Sequence, residues 1–528
     1  MRARNTERSL SRALRGRLTG ALCGAFALLG VVTPASAQAI GGVRRVPLAR
    51  RLVKLESARA GVSDSKVRKA AVATVDAAVK SFFSFRLARA CRKLDEAALI
   101  LEGRDPARSP ARLLARSLDL RLDSALLDAA SPKVGITLAP AWRPKAETGP
   151  VVAEETVKAW AVQLRLRSEG DDAETVLDVA TTVGALLDGG RSLSWDPSES
   201  DRDLTLSMTI RSGDDVLAEG RCRLAVVRAR DARLGKLARA EVKDAGAART
   251  IARGHELLKE LAAGRPQESE PRGARLLQEL EGFVEAGEPA ARVGDRRLWL
   301  PIDGRTVALR MFVPGTSGTD KPGAAEIKAR PLVIALHGAG GSEHMFMDAC
   351  GAGRIKTLCA ERGWLLVSPG LGFMGGVDLA ALVEAVDGLS GVAVDRRAIF
   401  VVGHSMGAGH AAGQLTRHPK LAAAAAFLGG GGRLRLPAGR RSLPILIAAG
   451  AADFGRPGAE AMMRSLTAAG ARALRYEVLP EAEHLLVVQD ALPLVFRLFD
   501  EAAGKTAAAA PQPKPEQKPK SGGKRRFF

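Results

Sequence analysis

A serine between two glycines, in Gly403-His404-Ser405-Met406-Gly407, is the part of this sequence best suited to chemistry. It follows an apolar run at 398–402 and precedes a small-residue stretch at 408–415, so a strand, a sharp turn and a helix are predicted. This is the context of a nucleophile elbow, in which Ser405 would be the nucleophile and bulkier residues at 403 or 407 would collide. The alternative is an ordinary strand–helix turn with a serine cap.

A serine hydroxyl becomes a good nucleophile when a histidine accepts its proton and a carboxylate orients that histidine. Asp453 follows a predicted buried strand at 443–448, and His484 follows another at 474–479. The order Ser405, Asp453, His484 is the one that α/β-hydrolases use. Two alternatives remain open: Asp453 and His484 could cap helices, and Glu481 or Glu483 could be the acid.

An oxyanion hole is expected from the glycine-rich turn His337-Gly338-Ala339-Gly340-Gly341, which follows a predicted strand at 331–336. Backbone N–H groups in such a turn can face the negative oxygen formed during acyl transfer. The amides of Met406 and Ala339 are the predicted donors, with Gly340 as the second choice for the latter. His337 is predicted to brace the turn. The glycines that shape the two turns are Gly338, Gly340, Gly341, Gly403 and Gly407.

These motifs resemble those of the α/β-hydrolase superfamily, over residues 293–502. The resemblance is to bacterial esterases of the polyhydroxybutyrate-depolymerase, feruloyl-esterase and prolyl-oligopeptidase-like groups. It rests on three segments: Leu336-His-Gly-Ala-Gly-Gly341, Gly363-Trp-Leu-Leu-Val-Ser-Pro369 and Val394-Asp-Arg-Arg-Ala-Ile-Phe-Val-Val-Gly-His-Ser-Met-Gly407. It implies an α/β-hydrolase fold, a mostly parallel sheet flanked by helices, and an acyl-enzyme formed on Ser405. The sequence departs from many relatives at Ala408, and Asp453 stands without further family landmarks.

The N-terminus has the layout of a secretory signal. Six arginines precede an apolar core at 18–32, and Ala35-Ser-Ala37 offers a cleavage site before Gln38. Residues 1–37 are therefore predicted to be a signal peptide, and the mature chain to be periplasmic or secreted. An uncleaved anchor is the alternative.

Residues 38–290 are predicted to form an α+β accessory module of unknown role. Helical spacing at 67–101 and 111–127 gives way to alternation at 157–167 and a hairpin pattern at 204–227. Charged amphipathic helices follow at 229–261 and 273–286. The hydrolase domain, residues 291–503, shows no lid-sized insertion after the elbow, so loops are expected to shape its site unless this module leans over it.

The formal charge of +21 is concentrated at the two ends of the chain. The signal and the Pro/Lys-rich tail at 504–528 carry about half of it, and the rest is spread among acidic residues along the chain. This distribution argues against a nucleic-acid groove. The tail is predicted to be disordered, and an anionic envelope surface is its plausible partner.

The histidines and cysteines match no metal-site spacing, so neither a metal nor a cofactor is expected. Of the mature chain's four cysteines, Cys350 and Cys359 are close enough in sequence to pair, but buried free thiols are the default. We therefore predict an exported serine hydrolase acting on a small or polymer-borne carboxylic ester, with its oligomeric state open. The alternatives are a prolyl-oligopeptidase-like peptidase using the same residues and a non-catalytic binding protein.

Overall fold

The computed structural model describes residues 34–143, 152–170, 174–315, 328–372 and 376–504, and of residues 34–44 it describes the backbone alone. The predicted signal, residues 1–37, overlaps the described residues only at its last four positions. The predicted tail, residues 504–528, overlaps them only at Gly504. Both predictions therefore lie almost wholly outside the described residues. Within the described ranges, no helix is both long enough and apolar enough to cross a membrane.

Three helices open the described chain: α1 (Pro34–Ala60), α2 (Ser65–Phe83) and α3 (Leu87–Leu101). The sequence predicts one helical pattern across the last two, and the structure breaks it at the turn of residues 84–86. Phe85 adopts a left-handed conformation there, with φ of 56°. Asp64 starts α2 by accepting a hydrogen bond from the N–H of Lys66, which satisfies one of the free donors at a helix start.

The prediction of a helix over 111–127 is wrong beyond its first half. Helix α4 (Pro110–Ser117) gives way to strands β1 (Leu118–Leu122) and β2 (Leu126–Asp128). Along β1 the buried side chains of Leu118 and Leu120 alternate with more exposed neighbours, which is a strand's period of two. Leu114, Leu118, Leu122 and Leu126 also recur every four residues, which fits one face of a helix, so the local pattern does not separate the two structures.

Two small sheets follow in the middle of the chain. Their remaining elements are β3 (Lys133–Pro140), α5 (Glu154–Lys158), β4 (Ala161–Ser168), β5 (Thr175–Thr182), α6 (Val183–Asp188), β6 (Arg191–Ser194), β7 (Arg202–Ser212) and β8 (Asp215–Val227). One sheet has the order β1-β3-β6 and the other β2-β8-β7-β4-β5. The predicted hairpin is confirmed, since β7 and β8 pair antiparallel up to Ser212 and Asp215. The alternation predicted from 157 becomes a strand at Ala161, after α5.

Three further helices lead to the main sheet: α7 (Arg230–Ala238), α8 (Ala245–Ala262) and α9 (Gly273–Ala286). The main sheet contains β9 (Gly294–Ile302), β10 (Arg305–Val313), β11 (Arg330–Leu336), β12 (Leu365–Pro369), β13 (Val394–His404), β14 (Ala424–Leu428), β15 (Ile445–Gly450) and β16 (Leu474–Leu479). Its strand order is β9-β10-β12-β11-β13-β14-β15-β16. The two pairs that include β10 are antiparallel and the other five are parallel.

Helices cover both faces of this sheet, which explains why its central strands are almost uninterrupted apolar runs. The remaining helices are α10 (Arg354–Ala360), α11 (Leu379–Asp387), α12 (Met406–Arg417), α13 (Arg456–Ala468) and α14 (Val487–Ala502). One face packs against α1, α2, α3, α10 and α14, and the other against α8, α9, α11, α12 and α13. The mostly parallel sheet flanked by helices is thus present.

The hydrophobic packing crosses the predicted boundary near residue 290. Leu55, Val75 and Leu94 of the first three helices share one core with Phe400 and Val488. On the other face, side chains of α8 and α9 share a core with β9 and β11. The two small sheets pack around a third core that contains no residue after Val226. The folding of residues 38–290 as an independent module stays a prediction, but their packing is continuous with the main sheet.

The four cysteines of the described chain, Cys91, Cys222, Cys350 and Cys359, are free and buried. Burial raises the pKa of the Cys91 and Cys222 thiols to about 12 each. They behave as small core side chains rather than as nucleophiles, because the reactive form of cysteine is the thiolate.

Candidate active site

Ser405 lies at a strained turn between β13 and α12. Its φ of 54° and ψ of −113° place an L-residue in a conformation that the surrounding structure must impose. A side chain at Gly403 would run into the backbone of Gly407, and one at Gly407 would run into the main-chain oxygen of Leu336. Glycine at both positions therefore lets the strand, the turn and β11 approach closely enough to form the elbow.

The structure brings the three predicted catalytic side chains together from the ends of separate strands. Ser405 follows β13, Asp453 follows β15, and His484 follows β16. The hydroxyl of Ser405 is 2.9 Å from Nε2 of His484, and Nδ1 of His484 is 2.7 Å from Oδ1 of Asp453. Because a carboxylate can only accept, Nδ1 carries the proton and Nε2 is left to accept the proton of the serine.

Asp453 is held as a carboxylate within the protein. It is 5% exposed, and its Oδ1 also accepts a hydrogen bond of 2.6 Å from the N–H of Gly455. Burial alone would raise the pKa of Asp453, but the hydrogen bond and charge of His484 and the N–H of Gly455 outweigh it, so the pKa is lowered. A charged carboxylate at this position could stabilise the imidazolium that would form if Ser405 gave its proton to His484.

The two alternative acids lie close in sequence, but their described contacts lead away from the imidazole. Oε1 of Glu483 accepts hydrogen bonds of 2.8 Å from the N–H groups of Leu485 and Leu486, which start the last helix. Glu481 lies 3.5 Å from Arg68 in an ion pair. The geometry thus favours Asp453 as the partner of His484.

His404 has a position that the sequence analysis did not assign. Its Nε2–H donates a hydrogen bond of 2.7 Å to the main-chain oxygen of His484. Burial, followed by the proximity of His484, lowers the pKa of His404 to about 3, so its ring is neutral. His404 therefore fixes the backbone from which the His484 imidazole projects. The only hint in the sequence is its place directly before the serine.

The glycine-rich turn after β11 lies beside the nucleophile. A side chain at Gly338 would come within 3.3 Å of the Cβ of Ser405 and 2.8 Å of Nδ1 of His404. Ala339 is exposed and Ser405 is partly exposed, so solvent reaches both residues. Among the described residues, no acceptor is found for the N–H groups of Ala339 and Met406. Both amides are thus free to donate to an oxyanion.

His337 braces this turn from within. Its Nε2 accepts a hydrogen bond of 3.0 Å from the N–H of Leu371, so Nδ1 carries the proton and donates to the main-chain oxygen of Gly338 at 2.8 Å. Burial lowers the pKa of His337 to about 4. His337 is therefore a neutral structural support whose two ring nitrogens are both hydrogen-bonded. Its protonation state does not change near neutral pH.

Two residues of the N-terminal helices contact the same turn. Nη2 of Arg45, in α1, donates a hydrogen bond of 2.6 Å to the main-chain oxygen of Gly340, and it pairs with Glu268 at 3.2 Å. The ring of Phe82, at the end of α2, occupies the space that a side chain at Gly340 would need. Gly340 itself has φ of 74°, a conformation that glycine adopts without cost.

The loop that carries His484 is also tied to these helices. Arg59 of α1 donates a hydrogen bond of 2.8 Å to the main-chain oxygen of Glu481 and pairs with the carboxylate of Asp490. Arg68 of α2 pairs with the same carboxylate at 2.8 Å. The sequence places Arg68 in a predicted helical region, but it does not show which loop either arginine contacts.

Three phenylalanine rings lie between the glycine-rich turn and His484. The rings of Phe82 and Phe83 are 5.4 Å apart, and Phe83 meets Phe454 at 5.8 Å. The ring of Phe454 is in turn 3.9 Å from the ring of His484. Helix α2 therefore contributes two aromatic side chains to the surroundings of the candidate site.

Two cavities, of about 580 and 510 Å³, lie elsewhere, and neither is lined by Ser405, Asp453 or His484. In the part of the chain that the structure describes, no group of three or more His, Cys, Asp or Glu side chains is placed to hold a metal ion.

An elbow serine followed along the chain by an acid and then a histidine is the arrangement of α/β-hydrolases. Together with the mostly parallel sheet, it gives the chain an α/β-hydrolase-like fold. No family model matches the sequence, and no curated relative matches it either.

Solved structures similar to this chain include three hydrolases. One is a ferulic acid esterase, 16% identical, with 39% of this chain and 100% of that chain covered and a TM-score of 0.32. Another is an S-formylglutathione hydrolase from Staphylococcus aureus, 15% identical, with 40% and 99% covered and a TM-score of 0.32. A thermostable esterase is 13% identical, with 65% and 93% covered and a TM-score of 0.32. TM-scores this low show nothing about activity.

Proposed function

We propose that this protein is a serine hydrolase that cleaves carboxylic esters through an acyl-enzyme. The observation that carries the proposal is the continuous hydrogen-bonded path from Asp453 through His484 to a partly exposed Ser405 hydroxyl, with distances of 2.7 and 2.9 Å. An inactive binding protein would have no need to maintain this alignment at a strained turn.

In the first half of the reaction, Oγ of Ser405 attacks the ester carbonyl carbon while Nε2 of His484 takes its proton. The amides of Met406 and Ala339 hold the negative oxygen of the tetrahedral intermediate. His484 then gives the proton to the leaving alcohol oxygen as the C–O bond breaks. In the second half, water attacks the acyl-enzyme by the same steps and releases the acid.

Ester hydrolysis is the minimal activity of such a site. An alkoxide leaves more easily than an amine, so a triad able to cleave an amide also cleaves the corresponding ester. A prolyl-oligopeptidase-like peptidase would use the same atoms. Turnover of p-nitrophenyl acetate compared with peptide anilides separates the two activities.

A fluorophosphonate probe tests the proposal directly, since it reacts with activated serines. The protein should be labelled, and Ser405→Ala should lose both labelling and ester turnover. Ser442→Ala, which removes an exposed serine outside the site, should keep both. Equal labelling of Ser405→Ala would show that the elbow serine is not the nucleophile.

Export remains part of the proposal because residues 1–37 have the arginine-rich, apolar and small-residue segments of a secretory signal. Expression in a bacterial host should yield an extracytoplasmic protein whose first residue is Gln38. An N-terminal sequence that begins at residue 2 in the membrane fraction would instead support the uncleaved anchor. The tail after 504, with seven Lys and Arg residues and one Glu, is proposed to contact an anionic envelope surface.

A further inference from the structure

Three phenylalanine rings form a row from the oxyanion turn to the catalytic histidine. We name Phe82, Phe83 and Phe454 the aromatic row. Phe82 packs on Gly340, and Phe83 lies between Phe82 and Phe454. The ring of Phe454 lies against that of His484, with centroids 3.9 Å apart. The row combines two distant parts of the chain, the end of α2 and the loop after β15.

Two of the three rings, those of Phe83 and Phe454, are incompletely covered by protein. Phe83 is 37% exposed and Phe454 is 52% exposed, and they are two of the five large apolar side chains described as exposed. Exposed apolar surface beside a catalytic group commonly serves to bind the apolar part of a ligand. The row is therefore open to a ligand at the place where the reaction would occur.

The chemistry of the triad decides which part of an ester meets this row. The carbonyl oxygen must face the amides of Ala339 and Met406, and the leaving oxygen must lie within hydrogen-bond reach of Nε2 of His484. The group attached to the leaving oxygen consequently emerges on the side of His484. Phe454 contacts His484, and Phe83 contacts Phe454, so that group meets these two rings.

We propose that Phe83 and Phe454 bind the alcohol portion of the substrate, and that this portion is an apolar alkyl or aryl group. The inference rests on the proposed serine-hydrolase function and adds the class of leaving alcohol. It also gives the N-terminal helices a role in substrate selection, since α2 supplies one of the two rings.

Two ratios of kcat/KM test the proposal. Hexyl acetate compared with ethyl acetate varies the alcohol, and ethyl hexanoate compared with ethyl acetate varies the acyl chain. The alkyl alcohols have similar acidity, so the first ratio measures binding rather than leaving-group reactivity. In the wild type we expect hexyl acetate to be favoured over ethyl acetate by at least tenfold, as hydrophobic contacts of this size allow.

Phe83→Ala and Phe454→Ala should each reduce the alcohol ratio, hexyl acetate over ethyl acetate, by about three- to tenfold. The acyl ratio, ethyl hexanoate over ethyl acetate, should stay unchanged. Leu187→Ala, which truncates another side chain with 36% exposure, should change neither ratio. Fluorophosphonate labelling of Ser405 in each variant shows that the triad is intact. A fall in the acyl ratio instead would assign the row to the acyl chain and overturn the proposal. Unchanged ratios in both variants would overturn it as well.

A second measurement does not depend on ester turnover. 1-Hexanol should slow the labelling of Ser405 by the fluorophosphonate in the wild type, and it should protect Phe83→Ala several-fold less. If the protein is labelled but turns over no ester, ester hydrolysis is refuted. Protection of Ser405 by 1-hexanol then still tests whether the aromatic row binds an alcohol. Equal protection in wild type and variant would refute the alcohol site, and absence of labelling would refute the nucleophile on which both proposals depend.

Discussion

The guanidinium of Arg45 donates a hydrogen bond of 2.6 Å to the main-chain oxygen of Gly340, linking the first helix to the turn beside the nucleophile. A second link joins Arg59 to the main-chain oxygen of Glu481, three residues before His484. The same helices bury apolar side chains against the main sheet. Residues before 102 thus support both loops of the candidate active site.

Asp453→Asn should reduce kcat for p-nitrophenyl acetate by about 10³- to 10⁴-fold, because an amide can hold the imidazole in the wrong tautomer. Glu481→Gln, with its side chain in an ion pair away from the imidazole, should stay within about threefold of the wild type. Steady-state kinetics measure both. Retained activity in Asp453→Asn together with loss in Glu481→Gln would move the acid to Glu481.

Arg45→Ala should lower kcat by about tenfold with little change in KM, because the turn that carries the Ala339 amide loses its anchor. The expected loss is smaller than the 10²- to 10³-fold typical of removing an oxyanion donor outright. Arg50→Ala is the matched control, since Arg50 lies on the same helix and pairs with Glu270 at 2.7 Å. A similar fall in kcat for both variants would indicate a general loss of structure.

Arg59→Met should destabilise the protein by about 2 kcal/mol, because it removes a buried charge partner and a hydrogen bond to the His484 loop. Arg59 is fully buried, and the carboxylate of Asp490 keeps Arg68 as a second partner. Urea unfolding of Arg59→Met, Asp490→Asn and the double variant gives the coupling energy. Additive effects would show that the pair contributes no specific stabilisation.

The contribution of the Glu56 carboxyl to stability should fall as the pH rises from about 4.5 to 8. Burial raises the pKa of Glu56 from its ordinary value of 4.5 to about 8, so between these values the folded protein holds one proton more than the unfolded chain. The free energy of unfolding then decreases by at most about 1.4 kcal/mol per pH unit for this carboxyl. Glu483, whose pKa burial also raises to about 8, acts in the same direction.

Glu56→Gln should lose this contribution, so its urea midpoint should fall less, or rise more, than that of the wild type from pH 5 through 6 and 7 to 8. Glu384→Gln changes an exposed carboxyl whose pKa is lowered by Arg396, so it should keep the wild-type slope in this window. A slope that is the same in Glu56→Gln as in the wild type would show that Glu56 does not titrate there.

A chain that begins at residue 291 should fail to fold, although it contains the triad and the entire main sheet. Removing α1, α2 and α3 uncovers one face of the sheet, and each buried leucine or valine lost costs about 1.5–3 kcal/mol, which together exceeds a typical domain's stability. Circular dichroism and size-exclusion chromatography compare it with the chain from residue 34. A soluble, cooperatively unfolding fragment would show that residues 291–503 form an independent domain.

The sequence alone determined the elements around the triad, because each depends on neighbouring residues. The apolar run before Ser405, the two flanking glycines and the positions of Asp453 and His484 after strands are local patterns. Parallel strands end at a common edge of the sheet, so the order of the strands was enough to predict that these side chains converge. Strand β16 and helix α9 also lie where the pattern placed them.

Tertiary structure decided what those elements pack against. An amphipathic helix reveals which of its faces is apolar, but not which distant surface buries that face. The contacts of Arg45 with Gly340 and of Phe83 with Phe454 join residues almost 300 or more positions apart, and no local pattern encodes such pairs. For the same reason Leu118 and Leu122, four residues apart, fit a helix as well as a strand, and pairing with β3 selected the strand.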